Sequence, residues 1–119
     1  MKQTDFQYIN LEYLEMVTDG DPEMKKEILG LVIDEIKNDM PRLNALSDSG
    51  DWETFHHITH KFKSTLAFVG NELLLDTNRE MEHRSKFKEN LEGVPVLLQL
   101  VNELHPRVQN ELDLAFNAL

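Results

Sequence analysis

The chain has 119 residues, 40% hydrophobic and 29% charged, the size and balance of a single globular domain, residues 1–119, that needs no metal or disulfide staple. It contains no cysteine, which excludes disulfides, thiolate zinc sites and cysteine nucleophiles. With 12 Lys+Arg against 22 Asp+Glu the formal charge is -10, so the chain repels phosphate backbones and anionic lipid, and neither nucleic acid nor membrane is expected as a partner.

Apolar residues recur at spacings of three and four, with Gly and Pro between the stretches, which predicts five helices and no sheet. The first covers about Asn10 to Val17, with Leu11, Leu14 and Val17 on one face, and ends at Asp19-Gly20-Asp21. Asp21 as N-cap and Pro22 at N1 then open a long second helix. Its expected stripe is Met24, Ile28, Leu31, Val32 and Ile36, continuing toward Leu43 and Leu46, with a kink at Pro41 and a closing loop Ser47 to Gly50. A third helix runs from about Asp51 to Val69 and stops at Gly70 in the left-handed region. The fourth spans roughly Asn71 to Arg84 with Leu74 and Met81 inward, and Ser85 to Val94 reads as the longest loop. The fifth runs from about Pro95 to Ala118 on Leu97, Leu100, Val101, Leu104, Val108 and Leu112, with Pro106 implying a kink or break. Four long helices and one short one predict an antiparallel four-helix bundle with a short N-terminal helix.

No apolar stretch reaches the roughly 20 residues of a membrane span. The opening MKQTDFQYIN lacks the basic-then-apolar plan of a signal peptide. A cytoplasmic location and a monomer are the expectations.

The third helix, DWETFHHITHKFKSTLAFVG, carries three of the five histidines. On a wheel of about 100° per residue with His60 at zero, Phe55, Phe62, Leu66 and Val69 fall between roughly 180° and 240°, a core stripe. Glu53, His56, Lys63, Ser64 and Ala67 lie near His60 on the opposite, solvent-facing strip. An exposed imidazole accepts a phosphoryl group when its ring nitrogen is neutral, sterically open and followed by a cation that pairs with the added charge. Lys63, one turn on, supplies the cation, and a charge-assisted hydrogen bond from it is worth about 1.5 to 3 kcal/mol when partly shielded. Ser64 and Ala67 keep the approach open. Nothing in the strip offers a general base or a metal cage, so a partner must supply the catalysis.

The pattern His60, Lys63, Ser64 and Gly70 resembles the histidine-containing phosphotransfer (HPt) domains of two-component phosphorelays. The flanks agree in order: Leu11 and Leu14 in the opening helix, Gly20-Asp21-Pro22, Gly50-Asp51, and Leu74 with Glu82 after the motif. The resemblance implies that His60 takes a phosphoryl group from a receiver-domain aspartate and passes it to another response-regulator receiver. It further implies that Lys63 orients the group, that Gly70 allows the sharp turn into the fourth helix, and that a hybrid sensor histidine kinase heads the relay. This chain would then be a phosphocarrier and no self-sufficient enzyme, binding no cofactor itself, with magnesium held by the receiver. Two positions depart from the family: Ser64 stands where glycine is most common, and Val32 where an aromatic residue is frequent.

His56, His57, Ser64, Ala67 and Phe68 are the candidate docking residues, although Phe68 also reads as a packing residue. Phe87, in or beside the loop, is expected to pack against a neighbouring helix more than to dock a partner, Trp52 to anchor the connection from the second helix, and His83 and His105 to be ordinary surface or boundary residues. Two other readings use the same residues: an adaptor bundle that binds a receiver without chemistry, and a metal site on Glu53, His56 and His60, where i,i+4 histidines can chelate zinc.

Overall fold

A computed structural model describes residues 6–119. It is all-helical: α1 Glu12–Thr18, α2 Pro22–Ser49, α3 Trp52–Val69, α4 Glu72–Phe87, a short 3-10 turn Leu91–Gly93, and α5 Val94–Asn117. No strand occurs among the described residues.

Local chemistry sets most of these boundaries. The Asp21 carboxylate accepts from the amides of Glu23 and Met24, with Pro22 at N1. Asp51 accepts from Thr54 and Asn71 from Leu74 at the starts of α3 and α4, caps worth about 1 kcal/mol each. Gly50 and Gly70 end α2 and α3 with φ of 75° and 74°, the left-handed conformation that side chains resist. Both α2 and α5 run through their internal prolines as single elements. Pro41 and Pro106 lie on exposed faces, and of the kink or break expected at Pro106 the break does not occur.

The expected loops shrink. Helix α2 continues to Ser49, leaving only Gly50 and Asp51 before α3. The segment Ser85 to Val94 is not one long loop: α4 extends to Phe87, and the 3-10 turn occupies Leu91–Gly93. Ser85 is buried, its hydroxyl donating to the Met81 carbonyl 2.8 Å away, and Lys88 supplies the left-handed stop.

Packing joins α3 to α4 and α2, and α5 to α2 and α4. The centre of the core is Phe55, Phe62, Leu66 and Val69 of α3, all essentially without solvent contact. Each such side chain contributes about 1.5–3 kcal/mol by leaving water. The stripe of α2 is Leu29, Val32, Ile33, Ile36, Met40 and Leu43. Met24 and Leu31 are exposed instead, because at about 100° per residue they stand roughly 120° and 140° from Ile36 at the stripe's centre. In α1, Val17 is exposed and Thr18 takes the inward position, its hydroxyl bonded to the Leu14 carbonyl at 2.7 Å. In α5, Leu98 is buried while Leu97 and Leu100 are half-buried. The molecule measures 41 × 21 × 20 Å, its long axis set by α2, about 42 Å for 28 residues.

The segment before α1 is strapped across the far end of the α3–α4 corner. The Glu111 carboxylate of α5 accepts from the amides of Gln7, Tyr8 and Ile9. Asn71 donates to the Tyr8 carbonyl at 2.9 Å, and the Asn10 amide donates to the Val69 carbonyl at 2.9 Å. Asn10 presses so closely on Gly70 that a Cβ there would overlap its carbonyl oxygen. Gly70 therefore answers two demands, the sharp turn expected of it and this close approach.

Candidate functional site

Helices α3 and α4 form a hairpin about the two-residue turn Gly70-Asn71. Residues nearly equidistant from such a turn face each other. His60 lies ten residues before Gly70 and Glu82 twelve after it. One turn earlier in α4, buried Asn78 donates to the Thr59 carbonyl at 2.8 Å, pinning α4 to α3 beside His60.

His60 stands clear of the wall, its side chain 64% exposed. Its Nδ1 is 2.9 Å from Oε2 of Glu82, and Nζ of Lys63 is 3.2 Å from Oε1 of the same carboxylate. Burial of Glu82 alone would raise its proton affinity, but the hydrogen bonds from His60 and Lys63, with the Lys63 charge, hold it below the usual carboxylate range. Ionised, Glu82 can only accept, so Nδ1 of His60 carries the proton and donates. In the neutral ring the lone pair then belongs to Nε2, the nucleophilic nitrogen. A carboxylate fixing the tautomer of a histidine is the same device that orients metal-bound and catalytic imidazoles.

The rest of the strip is partly assembled. Ser64 is exposed and Ala67 half-buried. His57 is exposed; the half-buried His56 has its ring centroid 6.0 Å from that of His60, and its Nδ1 has no hydrogen-bond partner. Phe68 is half-buried against α1, its ring 5.1 Å from that of Tyr13, so part of its surface is packing and part is open. Among the described residues no group of three or more His, Asp or Glu is arranged to hold a metal ion. Phe87 does not pack as expected: it is exposed at the end of α4, its ring 4.9 Å from His83. Trp52 is half-buried, edge-on to Phe55 at 5.2 Å.

Lys61, the neighbour of His60, belongs to a separate cluster. Its ammonium is 2.9 Å from Asp39 and 3.6 Å from Glu35 of α2, and the Thr65 hydroxyl also donates to Glu35. For Asp39, burial opposes ionisation, yet the Lys61 bond and charge, aided by Arg42, keep its carboxyl below the usual range. Lys61 thus fastens α3 to α2 and is turned from the His60 strip.

Glu82 is the site residue that the sequence reading left outside the site, as a flanking feature only. Its signal was available in the hairpin: with the turn at Gly70-Asn71, the residue opposite His60 falls near position 82. Comparison with family models, with curated proteins and with solved structures yields no match.

Proposed function

We propose that this protein is a phosphohistidine carrier of the HPt type, an antiparallel four-helix bundle of α2 to α5 with α1 as a cap, in which His60 receives and delivers a phosphoryl group. The observation that carries the reading is the exposed His60 ring with Nδ1–H held by Glu82, which leaves Nε2 open to an approaching phosphoryl donor.

In the proposed step the Nε2 lone pair attacks phosphorus of a receiver's aspartyl phosphate. The N–P bond forms, the P–O bond to aspartate breaks, and the aspartate leaves as carboxylate. The ring keeps its Nδ1 proton and gains positive charge, which the Glu82 carboxylate opposes at 2.9 Å. Lys63, 42% exposed and held on the same carboxylate as the ring, can turn from Glu82 toward the incoming phosphoryl oxygens. Transfer to the next receiver reverses these bonds. Magnesium bound by the receiver would supply neutralisation of the donor's charge, and no residue of this chain is asked to bind it. Ser64 and Ala67 leave room for the docked receiver, with His56, His57 and the open edge of Phe68 around them. Receivers, a hybrid kinase upstream and a cytoplasmic location are the setting this reading requires.

The test is incubation with a phosphorylated receiver domain and magnesium, followed by a search for acid-labile, base-stable label. Label on the wild type and none on His60→Gln is the expected result. Label that persists in His60→Gln ends the proposal.

A further inference from the structure

A second surface lies away from this site, between the first half of α2 and the end of α5. A shallow groove there is lined by Glu23, Lys26, Glu27, Gly30, Leu31, Asp34 and Phe116, and no residue of α3 or α4 takes part.

Three observations set it apart. Leu31 is 66% exposed in mid-helix, beside half-buried Phe116, which makes a continuous apolar floor. Gly30 has no internal reason to be glycine. Its φ is ordinary for a helix, and an added Cβ would meet Phe116 at 3.5 Å, normal contact, whereas glycine within a helix is less favourable than alanine. What glycine does supply is bare backbone at the floor, where another chain can come close. The charge of the rim is net acidic, three carboxylates against one lysine. Glu23, Glu27 and Asp34 enter no ion pair among the described residues, while the single cation, Lys26, sits over the Phe116 ring 5.0 Å from its centroid.

We propose that this groove docks a basic amphipathic helix of a partner protein, its apolar stripe on Leu31 and Phe116 and its Lys or Arg residues against Glu23, Glu27 and Asp34. The rim selects the occupant. A second copy of this chain would bring its own net charge of -10 to three carboxylates, and an acidic helix would meet the same repulsion. Because α3 and α4 are not involved, the docked helix leaves His60 accessible, and the two surfaces can be occupied together.

The probe is a synthetic Leu/Lys amphipathic helix, compared with a peptide of equal charge whose leucines are serine and with a Leu/Glu helix. Titrated into the isotope-labelled full chain, the Leu/Lys helix is expected to shift amides of residues 23–34 and 112–117, to bind at least about tenfold more tightly than the serine control, and to weaken near 1 M salt, where charges are screened within about 3 Å. Leu31→Ser, which leaves the core untouched, and Gly30→Met, which fills the floor, should each weaken binding about tenfold without altering phosphoryl transfer to His60. Shifts centred elsewhere, equal binding of the serine control or the Leu/Glu helix, or unchanged binding by both variants overturn the proposal, as does sedimentation showing a wild-type dimer that Leu31→Ser dissolves. Failure of the His60 labelling leaves this mapping unaffected, so the two readings stand or fall separately.

Discussion

Glu82 holds His60 from the opposite helix: one carboxylate oxygen lies 2.9 Å from Nδ1 of the ring while the other lies 3.2 Å from the Lys63 ammonium. The imidazole and its cation are thereby tied to one anion from α4, and the direction of the ring's free nitrogen is set by a residue 22 positions away. Substituting Glu82→Ala should release that direction. Long-range nitrogen-detected NMR of the neutral ring is expected to show the Nδ1–H tautomer in the wild type and a tautomer mixture in the variant, with phosphoryl transfer slowed about 10- to 100-fold, the usual size of such outer-shell losses. An unchanged tautomer would mean that Glu82 does not orient the ring.

Lys63→Ala is expected to separate chemistry from folding. The pair with Glu82 is partly exposed and pairs of that kind contribute at most about 1 kcal/mol, so the unfolding midpoint should move little while transfer to or retention on His60 weakens. Chemical denaturation and a label-retention time course measure the two effects side by side.

Much of this was legible in the sequence, for a physical reason. Caps, stops and stripes are local: Asp21-Pro22, Asp51 and Gly70 act within a few residues, and the four core residues of α3 recur with the helical period, so helix existence and the facing of His60 followed from spacing alone. What stayed hidden involves distant pairs. Glu82 acquires its role only when the hairpin closes, and the Asn10 contact on Gly70 depends on where the N-terminal strap crosses. Leu31 misled because hydrophobicity does not state direction, and Ser85 because a hydroxyl returned to its own helix backbone reads as polar loop.

Two glycines with the same backbone conformation offer a controlled comparison. Gly50 and Gly70 have φ of 75° and 74°, but nothing lies within 4 Å of a Cβ at Gly50 while Asn10 fills that space at Gly70. Gly50→Ala should lose only the left-handed penalty of about 1–2 kcal/mol. Gly70→Ala should lose clearly more, because the Asn10 to Val69 hydrogen bond must also yield. Equal losses in urea titrations would show that the strap does not bear on the turn.

Glu111 makes the strap testable from its other end. Replacing it with alanine leaves the amides of Gln7, Tyr8 and Ile9 without their shared acceptor, and hydrogen bonds to charged groups contribute about 1.5–3 kcal/mol. Hydrogen exchange at these three amides should accelerate well before exchange in α3 does.

His105 gives the fold a pH dependence of its own. Burial pushes its proton affinity below the ordinary value of 6.5, and its Nε2 has no hydrogen-bond partner. The unfolded chain therefore binds the proton first. Stability from this residue is complete above about pH 6.5 and declines as pH falls toward the lowered folded value. Asp39 and Glu82, both lowered carboxylates, lose their contributions only in the more acidic range below about pH 4.5. Denaturation midpoints at pH 7.5 and 5.5 should differ in the wild type and converge in His105→Asn.

The two-residue turn between α3 and α4 has one further effect. His60, the Lys63 and Glu82 tied to it through one carboxylate, and the pinning amide of Asn78 all lie in the α3–α4 hairpin, so closing a single short loop assembles them. Such a loop forms with little entropic loss and early in folding. Lengthening the connection between α4 and α5, or recutting the ends of α2, alters the frame while the α3–α4 hairpin and its His60–Glu82–Lys63 cluster travel intact as one piece.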